Sequence, residues 1–118
     1  SAYSEYEGIV SPAYTILAPM EGVYSRYFAY LFKTQSVIFS FYRFSQGLVD
    51  DTRNLKYENF KKISVSIPSK VAEQRAIVQI LSTADHEIDL LQKSIEAEKQ
   101  KKKALMQLLL TGKVSVRI

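Results

Sequence analysis

The stretch from Ser69 to Lys113, SKVAEQRAIVQILSTADHEIDLLQKSIEAEKQKKKALMQLLLTGK, constrains the rest of the chain. It contains no proline, and its one glycine, Gly112, falls near its end. Apolar side chains recur at Ile77, Leu81, Ala84, Ile88, Leu91 and Ile95, and again at Leu105 and Leu109. The steps alternate four and three residues, the spacing of a heptad seam on one long helix. Carried through the gap, the same steps land on Glu98 and Lys102, so two charged residues sit on an otherwise apolar seam.

Such a helix, of about 40 residues, rises to roughly 60 Å. A head built from the other ~70 residues spans only about 30 Å. The spacing therefore predicts that much of the apolar stripe finds no cover on its own head and pairs with a second helix. The competing reading is an amphipathic helix folded back on its own domain. Pro68 holds Ile67 out of the helical region, Ser69 is the expected N-cap, and Glu73 lies where the helix dipole favours an anion. Thr111-Gly112-Lys113 supplies the glycine stop and a closing cation. Val78 and Ile80 widen the apolar face near the start, and Met106 and Leu108 widen it near the end.

The residues before this helix read as a small mixed head. Residues 1–7 are a polar lead-in. Gly8 to Leu17 is interrupted at Pro12, with Val10, Tyr14 and Ile16 on one parity, and suggests one or two strands. Pro19 to Gly22 is a turn. Val23 to Thr34 places its aromatics at helical spacing. Gln35 to Ser45 fits either period, its length favouring a helix. Ser45 to Asn54 is the main loop, with Asp50, Asp51 and Thr52 as turn formers. Asn54 to Lys62 reads as a short helix anchored by Leu55 and Phe60. Ile63 to Ile67 alternates Ile, Ser, Val, Ser, Ile and reads as a half-buried strand ended by Pro68. The expected fold class is α/β (α+β): a small mixed head of short strands and helices, residues 1–68, followed by one long C-terminal coiled-coil helix and short tail, residues 69–118.

The chain's 118 residues allow one domain, and its eight Tyr and six Phe are enough to build a core. Cysteine is absent, which excludes a disulfide framework and a thiolate zinc site. The single histidine, His86, lies on the heptad position furthest from the seam, between Asp85 and Glu87, and reads as a solvated side chain. No metal site is expected. The four glycines are isolated, so no phosphate-cradling loop is present. Asp50-Asp51 reads as a turn and not as a catalytic carboxylate pair. No cofactor and no enzymatic activity are expected. With no leader and no long apolar run, the expected compartment is the cytoplasm, with no membrane contact. The net charge of +4 is concentrated towards the C-terminus, chiefly in Lys99 to Lys103. A basic run on a helix reads first as a solvated face.

The loop does carry side chains suited to reading bases. Arg43 and Arg53 can grip guanine with two hydrogen bonds, and Gln46 and Asn54 can do so with adenine. These four are the candidate DNA-contacting residues.

The order of these pieces resembles the DNA-specificity (S) subunit of type I restriction-modification systems. The resemblance runs from GIVSPAYTIL through the aromatic helix and the loop with Arg53-Asn-Leu55. It continues with Ile67-Pro68 followed by Glu73-Gln74 and Ile77, and ends in Leu105-Met106 through Leu110-Thr-Gly-Lys113. It covers roughly residues 8–117. It implies a non-catalytic subunit whose recognition domain reads one half of a split DNA target. It also implies conserved helices that pair antiparallel, dock methyltransferase (M) subunits and are joined by restriction (R) subunits. On this resemblance residues 1–68 correspond to the C-terminal part of one target-recognition domain, and residues 69–118 to one conserved-region helix.

Three hypotheses follow. In the first, the chain homodimerises through residues 77–109, with Ile77 opposite Leu109 and Leu81 opposite Leu105. A second register, with Glu98 opposite Lys102 twice, leaves more of each helix unpaired. In the second, the head is a DNA-reading module. In the third, the chain is a coiled-coil adaptor that does not read DNA.

Overall fold

A computed structural model of the chain describes residues 1–47 and 53–118. Among these it contains four α-helices: α1 (Ser25–Leu31), α2 (Gln35–Phe44), α3 (Tyr57–Phe60) and α4 (Val71–Leu110). The chain forms two compact units, Ser1–Gln79 and Ile80–Ile118, and α4 is continuous across the division.

In the first unit α1 begins later than the aromatic spacing suggests, because Tyr24 is extended (φ −99°, ψ 109°) and takes the N-cap position. The helix ends at Leu31 with Phe32 as its C-cap, and the N–H groups of Phe32, Lys33 and Thr34 close onto the carbonyls of Phe28, Tyr30 and Leu31. Thr34 returns to extended backbone, its hydroxyl donating to the Leu31 carbonyl at 2.7 Å, and starts α2. The ambiguous stretch from Gln35 is thus a helix. It buries Val37 and turns Phe39 and Tyr42 outward.

The apolar interior is a small cluster of aromatic rings. Phe32 meets Phe28, Phe41 and Phe60 edge-on at centroid distances of 5.5, 5.4 and 6.0 Å. Each such pair contributes about 0.5–1.5 kcal/mol beyond the area it buries. Phe60 arrives from α3, which is held by Tyr57 stacking on Phe60 at 6.5 Å. The N-terminal lead-in is pinned to α1 by Arg26. Its guanidinium lies 5.3 Å from the Tyr3 ring centroid and 3.5 Å from the Glu5 carboxylate. Hydrogen bonding to Ser25, then to Arg26, holds the Tyr3 hydroxyl below its ordinary pKa.

The root of α4 is fixed by a polar residue. Gln74 is completely buried, and its carboxamide makes three bonds. Its Oε1 accepts from the Tyr24 N–H at 2.8 Å, and its Nε2 donates to the Pro68 carbonyl at 2.9 Å and the Gly22 carbonyl at 3.3 Å. Both amide protons are therefore used, and no buried side-chain nitrogen or oxygen among the described residues lacks a partner. The turn before α1, the irregular chain before α4 and α4 itself converge on this one side chain. Gly22 sits at φ +81°, a torsion glycine adopts without strain. Next to Gln74, Arg75 lies over the Tyr24 ring at 5.2 Å, and one turn on Val78 is buried.

The expected α/β head is not formed. Among the described residues the backbone pairs as β-structure only at one isolated antiparallel bridge, Gln46 with Asn54, and there is no sheet. Gly8 to Leu17 holds a turn at Pro12-Ala13 and no strand, with Ile9, Val10, Tyr14, Ile16 and Leu17 all exposed. Ile63 to Ile67 is irregular, and Val65 and Ile67 are exposed. Alternation fixes which side of a strand is apolar. It does not supply the neighbouring strand whose N–H and C=O groups complete a ladder. Neither segment has such a neighbour here. The proposed turn formers Asp50, Asp51 and Thr52 lie outside the described residues.

In α4 the first accepting carbonyl is that of Lys70, bonded by the N–H groups of Glu73 and Gln74 at 3.1 and 3.2 Å. The helix thus starts one residue later than a Ser69 cap implies. It stops at Leu110. Gly112 follows at φ +71°, and the N–H groups of Gly112 and Val114 take the carbonyls of Leu109 and Leu108. Thr111 donates its hydroxyl to the Gln107 carbonyl.

Replacing Gln74 by Ala strips partners from one N–H and two carbonyls in a part-buried site. It is expected to destabilise the chain by about 2–4 kcal/mol, read as a fall in the urea midpoint followed by tyrosine fluorescence. Phe32→Ala is expected to cost about 2–3 kcal/mol in the same experiment, less than a fully buried phenylalanine because the ring is half-buried. An unchanged midpoint for either variant contradicts the role given to that side chain.

Candidate functional site

Two surfaces carry the residues singled out by sequence. The first lies at the end of α2. Arg43 is exposed in the last turn of the helix. Two residues beyond the helix, Gln46 pairs with Asn54 through both backbone bonds: the Gln46 N–H donates to the Asn54 carbonyl at 3.0 Å and the Asn54 N–H to the Gln46 carbonyl at 2.8 Å. That bridge closes the neck of the loop. Both side chains are exposed.

Arg53 behaves differently from the other three. Its guanidinium carbon sits 3.9 Å from the centroid of the Tyr42 ring, and its Nη1 donates to the Tyr42 carbonyl at 3.4 Å. A guanidinium flat on an aromatic face is held by the ring quadrupole, worth about 0.5–1 kcal/mol at an exposed site. Arg53 therefore fastens its own segment to α2. Tyr42 is the partner that sequence reasoning missed. Its signal was its place on the outward face of α2, one residue before Arg43. Gln46 and Asn54 are directly opposed, Arg53 is the residue before Asn54, and Arg43 lies three residues before Gln46 in the last turn of α2. Together they offer hydrogen-bonding side chains and a fixed cation, the elements of base-edge or phosphate contact.

The second surface is the seam of α4. Ile77 is half-buried, while Leu81, Ala84, Ile88, Leu91, Ile95, Glu98, Lys102, Leu105 and Leu109 are exposed. Every residue from Gln79 to Ile118 is exposed. Leu91 shows 64 % of its surface and Ile88 52 %. Shallow grooves follow the seam, one beside Leu91, Ile95 and Lys102, the next beside Leu105, Met106 and Leu109. Glu98 lies 3.6 Å from Lys101. Asp89 pairs with Lys93 at 2.9 Å, and Gln100 donates to Glu96 at 2.9 Å, each one helical turn apart. Such exposed pairs contribute only a few tenths of a kcal/mol each. An apolar stripe of this length in water marks an interaction surface.

His86 is exposed on the helix. Among the described residues no group of three or more His, Cys, Asp or Glu side chains is placed to hold a metal ion. No helix among them is long and apolar enough to cross a membrane.

Comparison with known proteins places these surfaces in context. Neither the curated proteins nor the solved structures yield a match to this chain. The model of the type I restriction modification DNA specificity domain matches residues 2–100, taking in the loop neck, the Gln74 site and most of α4. Its span covers most of the 118 residues, so the chain belongs to the family of type I restriction-modification DNA specificity domains.

Proposed function

We propose that this chain is a non-catalytic specificity component of a type I restriction-modification complex, reading DNA with its head and assembling through α4. The observation that carries the reading is the seam left in water from Leu81 to Leu109 on a helix of a DNA-specificity family member. In this reading residues 1–68 act as part of a target-recognition domain, and residues 69–118 act as spacer and docking helix. Arg43, Gln46 and Asn54 face the DNA, and Arg53 holds the loop that presents them while adding positive charge near the phosphates. Methyltransferase subunits dock on the paired helix, and restriction subunits join that core, in the cytoplasm where the complex meets DNA.

The same seam supports self-pairing of two copies. A buried leucine or isoleucine contributes about 1.5–3 kcal/mol. A seam shared by two helices therefore outweighs the loss of association entropy once several layers are buried.

Two outcomes test the reading. Ile88→Asp together with Leu91→Asp is expected to abolish co-purification with the methyltransferase subunit and to reduce the mass by light scattering to that of one chain. Retained co-purification and retained dimer mass contradict the docking role of α4. For DNA, Asn54→Ala is expected to lose about 1–3 kcal/mol of discrimination at one base pair of a selected duplex. Arg53→Ala is expected to weaken binding to all duplexes alike and to flatten its dependence on salt. If no duplex is enriched from a random pool, the chain acts as a coiled-coil adaptor that does not read DNA.

A further inference from the structure

We propose that Tyr42 is a positioning residue for DNA binding: its ring holds the Arg53 guanidinium in one place, so that Arg53 meets a backbone phosphate as a preset contact. The inference rests on the DNA reading above. It adds a residue that carries no charge and touches no DNA in that reading.

Arg53 is held from two directions. Its guanidinium carbon lies 3.9 Å from the centroid of the Tyr42 ring, and its Nη1 donates to the Tyr42 carbonyl at 3.4 Å. That carbonyl belongs to the last turn of α2, where a helix runs out of its own donors. The Ser45 N–H shares it at 3.2 Å, and the Ser45 hydroxyl takes the Phe41 carbonyl at 2.6 Å. The partial negative charge of a helix C-terminus also favours a cation here. Ring, carbonyl and helix end all favour the same position for the guanidinium.

The base of the side chain is fixed as well. Asn54, the next residue, bonds to Gln46 through both its N–H and its carbonyl. Arg53 is thus anchored near its Cα by the bridge and at its tip by the ring. An unanchored arginine gives up rotamer freedom when it settles on a phosphate, whereas one already ordered has less to lose. Stacking engages the face of a guanidinium, while its N–H donors lie in the plane and point outward from the edge. Tyr42 is half exposed and Arg53 is part-exposed, so the pair lies at the surface.

A ring that only braced the loop would act differently. Its loss would displace Asn54 and blur discrimination at one base pair, with the number of charges meeting the duplex unchanged. A ring that positions Arg53 governs how many phosphates are neutralised. Its loss is then read as a lost charge, although no charge has been removed. Arg43 supplies the internal control. It is an exposed cation next to Tyr42 in the same turn, and adjacent helix positions do not face each other.

The test is the salt dependence of binding by the full chain to a duplex enriched from a random pool. Tyr42→Leu is expected to reduce the slope of log affinity against log salt by about one, and to weaken binding about two- to fivefold at low salt. Tyr42→Phe keeps the ring and is expected to match the parent in both. In an Arg53→Ala background Tyr42→Leu is expected to add nothing further, while in an Arg43→Ala background it keeps its full effect. A Tyr42→Leu slope equal to that of the parent, or an undiminished effect in the Arg53→Ala background, overturns the role of Tyr42 and leaves the DNA reading standing. A Tyr42→Phe variant that behaves like Tyr42→Leu overturns the role of the ring. A parent that enriches no duplex overturns the DNA reading and this role with it.

Discussion

The carboxamide of Gln74 is the contact on which the first unit depends. A head in which, among the described residues, only Val37 and Val78 are buried apolar side chains cannot hold its segments together by area alone. Gln74 supplies direction. It accepts from the N–H that opens α1 and donates to carbonyls from two separate segments, Gly22 and Pro68. A buried amide with both protons committed tolerates little displacement, because any shift leaves a polar group without a partner. The aromatic cluster around Phe32 then fills the space this frame defines.

The second unit obeys a different rule. From Gln79 onward no side chain is buried, so the helix there stands on backbone hydrogen bonds, propensity and short ion pairs. Helices without packing are marginal at the lengths usual in proteins, and their order is coupled to whatever covers the apolar face.

Much of this was legible in the chain. The heptad from Ile77 to Leu109 needs only a period, and α4 follows it from Val71 to Leu110. The α1 helix was legible for the same reason, although it is shorter because Tyr24 is extended at the N-cap, whereas the stretch from Gln35 fitted either period. Ile63 to Ile67 and Gly8 to Leu17 were misread as strands because a strand is a pairwise object and the alternation of one segment says nothing about its neighbour. At the loop neck the chemistry of the four polar side chains suggested DNA contact. The assignment of Arg53 to Tyr42 was not legible, since a stacking partner is known only once the two side chains are in space. Gln74 stood in a recognisable motif, but its three hydrogen bonds appear only once the Gly22 turn and Pro68 are in space.

The end of α4 turns on a single torsion. Gly112 at φ +71° lets the chain reverse, so that Val114 returns its N–H to the Leu108 carbonyl. An L-residue forced into that conformation costs about 1–2 kcal/mol. The rod's reach is thus punctuated by one achiral residue. The valines and isoleucine that follow are kept off the helical stripe, so the greasy track has a terminus as well as a period.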